Sequence, residues 1–158
     1  MQDITRERAD EIKEFRLPAY KEIPDVGLYL DQTSKYLDSC LNVFEGYSLT
    51  GSMISNYVKN RLIANPVKKQ YYRDQIACLL FIAFSKNVLP LDKVAALLKG
   101  IEDVNVFYSK FAKLFEDTLH KVFSKEDPAS FKDDDLLSDV VLTSVYQIYL
   151  NERMKDGK

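Results

Sequence analysis

The sequence predicts an all-α fold, and three observations carry that expectation. Apolar residues recur at helical spacing in one segment after another. Gly and Pro are scarce, five of each in 158 residues, which favours long helices over sheet. Hydrophobic residues make up 46% of the chain, with 10 Tyr and 9 Phe, enough apolar volume for a proper core. The chain divides into a charged N-terminal helix over residues 1–16, a helical domain over 17–100, and a C-terminal αα-hairpin over 101–158.

The first helix is expected over Asp3–Phe15, with Ile4, Ile12 and Phe15 as a weak apolar side. Leu17-Pro18 and Ile23-Pro24 bracket a connector, because a residue before proline avoids the α region. Asp25 is the expected cap of a helix over Val26–Phe44, whose face carries Tyr29, Thr33, Tyr36, Leu37, Cys40, Leu41 and Phe44. Thr50 is placed to cap a short helix over Gly51–Asn60, its hydroxyl accepting from a free amide of the first turn. Asn65-Pro66 ends that element and turns the chain. Lys68 and Lys69 fall at the tip of a short loop or ribbon, and Tyr71-Tyr72 leads back. Asp74 should cap a buried helix reaching Lys86, apolar nearly all round from Ile76 to Phe84. A short helix over Asp92–Lys99 stops at Gly100. The hairpin then pairs Val104–Phe123 with Leu136–Met154, across a polar link over Lys125–Asp135 that contains Pro128. Asp133, Asp134 and Asp135 read as a cap region plus solvated charge, and Lys155–Lys158 as a frayed tail.

The stretch Leu49–Arg73 is where function concentrates. Met53, Ile54, Tyr57, Val58 and Leu62 form an apolar stripe. Ser52, Ser55, Asn56 and Lys59 fall opposite, and these are side chains able to meet a base edge or a phosphate. Between Glu45 and Asp74 there is no acidic residue, while Lys59, Arg61, Lys68, Lys69 and Arg73 all lie there. The whole chain has formal net charge -2, so its positive charge is gathered at this place. A plain surface helix with a solvated charged face fits the same residues.

The order Thr50, Ile54, Tyr57, Leu62-Ile63, Pro66, Lys68-Lys69 and Tyr72-Arg73 resembles the MerR-type winged helix-turn-helix. Leu91-Asp92-Lys93-Val94 looks like the start of that family's next helix. LPAYKEIPDVGLYLDQ, SMISNYVKNRLI and PVKKQYY together resemble a bacterial family known only as a domain of unknown function, thought to have a MerR-like fold. The resemblance implies a helix-turn-helix with a very short wing and binding of double-stranded DNA. By their own chemistry Ser55, Asn56 and Lys59 would face bases or phosphates, and Asn56 is the choice for base reading because its amide can pair with adenine. Lys68, Lys69 and Arg73 would grip the backbone, and Ser52, Arg61 and Tyr72 complete the expected set. One departure stands out. MerR proteins usually have Gly before the closing Leu pair, where the chain leaves the helix with positive φ. Arg61 stands there in this chain, so the turn is either strained or built differently.

Other chemistry has little to work with. His120 is the single histidine, without Cys or carboxylate at ligand spacing, and no nucleophile elbow or phosphate loop is present. Neither a catalytic residue, nor a metal, nor a cofactor is expected. Cys40 and Cys78 sit within apolar helical patterns and read as buried thiols of a reducing compartment. The first helix is too charged for a secretory signal, and Ile76–Phe84 is too short to span a bilayer. A soluble, cytoplasmic protein without a membrane partner is therefore expected. The aromatic hairpin either completes one core with the preceding helices or also pairs with a second copy as a homodimer. The function expected is a DNA-binding transcriptional regulator. The alternative is a non-catalytic helical interaction module that has lost DNA binding. Operator, regulated genes and any small-molecule effector leave no trace in the sequence.

Overall fold

In the computed structural model, residues 3–126 and 135–155 are described. The expected link at Pro128, Asp133 and Asp134 of the acidic run, and the tail beyond Lys155 lie outside them. The described residues are mainly helical and contain no strand longer than an isolated bridge. The helices are α1 (Arg6–Lys13), α2 (Leu30–Leu41), α3 (Gly51–Lys59), α4 (Arg73–Ser85), α5 (Leu91–Lys99), α6 (Val104–Phe123) and α7 (Leu136–Arg153), with a 3-10 turn at Tyr20–Glu22. Two compact units result, Pro18–Lys110 and Met1–Leu17 together with Phe111–Lys158.

In the unit Pro18–Lys110 the core is built on α4. Its residues from Ile76 to Ser85 are buried on every side except at Cys78, as the unbroken apolar run requires. α2 packs on both α3 and α4, and α4 on α5. Thr33, Leu37 and Leu41 form the buried face of α2. In the connection after α2, Phe44 meets Phe84 edge to face and Tyr47 packs on it at a tilt, with centroids 5.9 and 5.4 Å apart. Leu49 is fully buried, and its carbonyl accepts from the Ser34 hydroxyl at 2.6 Å, so the chain enters α3 at a fixed angle. Phe107, in the first turn of α6, meets Phe81 edge to face at 5.0 Å. The Tyr108 hydroxyl donates to the Pro18 carbonyl at 2.7 Å and ties down the start of the unit.

Expected boundaries move at α1, which spans only Arg6–Lys13, and at both ends of α2, which stops at Leu41 and leaves Phe44 beyond the helix. α2 begins at Leu30, because Leu28 is taken up in an antiparallel bridge with Tyr71 (N···O 2.9 and 2.7 Å) and Gly27 turns with φ 85°. Tyr29 precedes the helix and is half exposed, outside the face assigned to it. Asp25, expected to cap α2, instead accepts the backbone N–H of Arg73 at 3.1 Å and caps α4. Asp74, expected as the cap of α4, lies inside that helix and accepts the Tyr20 hydroxyl. Within α4's first turn, the Tyr72 N–H donates to Gln75 Oε1 at 2.8 Å.

In the other unit, α1 buries Ile12, and Phe15 meets Phe115 edge to face at 6.2 Å. α1 falls in one compact unit with α7 and the later turns of α6. Arg8 pairs with Glu152, whose side chain is only 5% exposed and whose carboxylate also meets Lys155 at 2.6 Å. Glu116 accepts the Leu17 N–H at 2.8 Å. Phe123 and Tyr149 bring α6 and α7 together at 5.5 Å. Asp135 caps α7 by accepting from the Ser138 N–H at 2.8 Å. No helix among the described residues is long and apolar enough to cross a membrane.

Candidate nucleic-acid interface

α3 starts where its cap dictates. The Thr50 hydroxyl accepts from the Met53 N–H at 3.2 Å. Gly51 packs under Leu30, whose carbons lie 3.4 Å from where a β-carbon would be. Ile54 and Tyr57 are buried, and Ser52, Ser55, Asn56 and Lys59 are exposed. The side of α3 read as donor-rich therefore faces solvent. Asn60 holds the Asn56 side chain, donating from Nδ2 to Asn56 Oδ1 at 2.9 Å and to the Asn56 carbonyl at 2.9 Å. That leaves the Asn56 amide group, a pair of donors, turned away from the Asn60 contact.

The end of α3 resolves the departure at Arg61. Leu62 N–H bonds to the Tyr57 carbonyl at 2.8 Å and Arg61 N–H to the Val58 carbonyl at 3.0 Å. These are the two bonds of a Schellman motif, with Arg61 at the left-handed position and φ 62°. The turn is the one glycine would favour, built with arginine. Leu62 and Ile63 are buried just beyond it.

The chain then forms a two-residue reverse turn. Val67 and Gln70 exchange both backbone bonds, at 3.0 and 2.9 Å. Lys68 and Lys69 occupy the centre with φ 50° and 67°, the left-handed pair of a type I′ turn that Asn-Gly would favour. Both lysines are exposed. The Gln75 Nε2 fixes the approach to this turn, donating to the Ala64 and Asn65 carbonyls at 3.0 and 2.9 Å. On the far side, Gly27 lies under the Gln70 side chain and the Tyr72 hydroxyl, each 3.0 Å from its would-be β-carbon.

Arg73 spends two of its five donors within the fold and is partly exposed. Its Nε donates to the Ile23 carbonyl at 2.9 Å and an Nη to the Lys21 carbonyl at 3.0 Å, with the guanidinium over the Tyr20 ring at 5.4 Å. Those donors are spent inside the fold, where they fix the connector before α2 to the start of α4. Tyr72 is half buried, its hydroxyl 3.5 Å from Gln70 Oε1. Of the nine expected residues, Ser52, Ser55, Asn56, Lys59, Arg61, Lys68 and Lys69 are exposed. Gln75, Asn60 and Gly27 were not singled out from the sequence. Gln75 carried a signal, since it stands three residues after Tyr72, at the spacing of a capping box.

Residues 18–117 match the family model of the domain of unknown function DUF1836. The chain belongs to the DUF1836 family. No curated protein and no solved structure matches it. The matched span of the DUF1836 domain takes in α2 to α5, the Lys68-Lys69 turn and all nine expected residues. Its two cysteines are free and half buried, and burial pushes the Cys78 thiol up to about 12 and Cys40 upward, away from thiolate chemistry. Among the described residues of the chain, no group of His, Cys, Asp and Glu is placed to hold a metal.

Proposed function

We propose that the DUF1836 domain binds double-stranded DNA through a winged helix-turn-helix of MerR-like build and acts as a transcriptional regulator. In this reading α2 is the supporting helix, α3 the recognition helix and the Lys68-Lys69 turn the tip of a minimal wing. The observation that carries it is the exposure of Asn56 and Lys59 on α3 together with exposed cations held in left-handed backbone at Arg61, Lys68 and Lys69. Left-handed backbone disfavours side chains with a β-carbon, so glycine or asparagine would serve the fold better there. Lysine and arginine at these positions are consistent with selection for charge. The connection between α2 and α3 is longer than the tight turn of the simplest helix-turn-helix, and buried Phe44, Tyr47 and Leu49 hold it.

In the proposed complex α3 enters the major groove, Asn56 turns its amide to a base edge, and Lys68 and Lys69 meet phosphates. Arg73, with two donors tied to the Ile23 and Lys21 carbonyls, positions the start of α4. The test is a salt titration of duplex binding. Replacing Lys68 and Lys69 by Ala lowers the log–log slope by about two if both reach phosphates. An unchanged slope removes the wing from the interface.

One observation favours a second reading, a helical protein-interaction module. Tyr146 and Leu150 on α7 and Met154 at its C-cap recur every fourth residue and are 41, 54 and 66% exposed. This apolar stripe suits a partner helix or a second copy of the C-terminal αα-hairpin. If the chain retains no random duplex at low salt, the module reading replaces the DNA reading. If it does retain duplex, the stripe becomes the surface through which a dimer would read two half-sites about one DNA turn apart.

A further inference from the structure

The end of α3 and the end of α5 enclose an open basin of about 520 Å³ within the unit Pro18–Lys110. Val58, Leu62 and Leu98 supply apolar lining, while Lys59, Arg61 and Lys99 supply its charge. No carboxylate lines it. Among the described residues none of these three cations takes part in an ion pair. Lys59 and Lys99 stand in the last turns of their helices, where a cation offsets the exposed carbonyls. Two helix ends together carry roughly one negative charge, so three cations leave the basin about two charges positive. Arg61 adds to that excess from beyond the helix, at φ 62°.

We propose that this basin is a phosphate subsite, filled by a phosphodiester of the duplex beside the segment read by α3. The proposal rests on the DNA-binding reading and adds to it a contact from α5. Lys99 is forty residues from α3 in the chain and reaches the same ligand because the fold closes α5 against the exit of α3. The basin's cations take a phosphate on the side of α3 away from its cap, so the duplex is held at the exit of the helix as well as at the wing.

The experiment is a salt titration of random duplex binding by the full chain, with a thermal melt of each variant. Lys99→Ala and Arg61→Gly each lower the log–log slope by about one, and Arg61→Lys preserves it. Arg61→Gly also raises the melting midpoint by a few degrees, since glycine takes the left-handed turn without a β-carbon clash. A slope unchanged in Lys99→Ala and Arg61→Gly but reduced in Lys68→Ala/Lys69→Ala overturns the subsite and leaves the DNA reading standing. If inorganic phosphate stabilises the wild type but not Lys99→Ala, while duplex slopes do not move, the basin holds a free anion and the phosphodiester assignment is overturned. Failure of the wild type to retain any duplex sinks both.

Discussion

Gln75 Nε2 donates to the Asn65 carbonyl at 2.9 Å while Gln75 Oε1 accepts from the Tyr72 N–H at 2.8 Å. One amide therefore ties the first turn of α4 to the chain leaving α3, and the lysine turn hangs between the two fixed points. Replacing Gln75 by Ala should cost about 1–2 kcal/mol, the value of a lost cap and lost carbonyl partners in a half-exposed place. Denaturant unfolding checks the loss. Hydrogen exchange should locate it, with the Val67 and Gln70 amides exchanging faster than those in the core of α4.

The left-handed lysines set stability against charge. Lys68→Asn with Lys69→Gly supplies the residues that a type I′ turn favours. The double variant should gain about 1 kcal/mol, or about 2–4 °C in melting midpoint. It should also lose about two from the salt slope of duplex binding. Calorimetry and a binding titration on the same preparation test both halves. A variant that is more stable and binds as well as the wild type would show that the charge serves no duplex contact.

Two partly buried carboxylates should move stability with pH in opposite directions. Burial pushes Glu152 up, but its bonds to Arg8 and Lys155 outweigh that and hold it below the usual carboxylate range. Its folded value is depressed, so its contribution is present above about pH 4.3, the unfolded value, and is lost as pH falls through the folded one. Burial raises Glu116 despite the Leu17 N–H and the nearby Arg16. Its contribution is therefore present below about pH 4.3 and is lost as pH rises through the folded value. Melting curves from about pH 3 to 7 should show Glu152→Gln flattening the acid side and Glu116→Gln removing the decline above pH 4.3.

The stripe on α7 gives a prediction about assembly. Leu150→Glu with Tyr146→Lys changes side chains that are 54 and 41% exposed, so a monomer should lose little stability. If a second copy covers this face, sedimentation equilibrium should show the wild type as a dimer and the variant as a monomer. A wild type that is already monomeric at working concentration assigns the stripe to a different partner.

Local signals in the sequence located much of the helical framework. α6 runs Val104–Phe123 as its wide apolar stripe predicts, and α3 begins at Gly51 behind a Thr50 cap. Those features are settled within a few turns of chain. What periodicity misses depends on distant partners. Asp25 looks like a cap for the helix that follows it, yet its carboxylate is taken by the Arg73 N–H, 48 residues on. The bridge from Leu28 to Tyr71 delays α2, and no hydrophobic spacing near Leu28 announces a partner in the second half of the domain. The charge of Arg73 is plain in the sequence, but not that the Ile23 and Lys21 carbonyls occupy two of its donors. Charge can be counted from a sequence, whereas free donors have to be found in the fold. For the lysine turn, the sequence showed where the charge lay and gave no sign of its left-handed backbone, since Val-Lys-Lys-Gln carries none of the residues that usually mark one.

Gly27 sits under the flank of the lysine turn, against Gln70 and the Tyr72 hydroxyl. A methyl group there would push into Gln70 and the Tyr72 hydroxyl, and the backbone at φ 85° would resist it as well. A genetic screen for chains that accumulate normally yet no longer engage their target should therefore recover changes at this uncharged position alongside losses of the lysines. The orientation of a surface feature would then be inherited through a residue with no side chain, some forty places upstream.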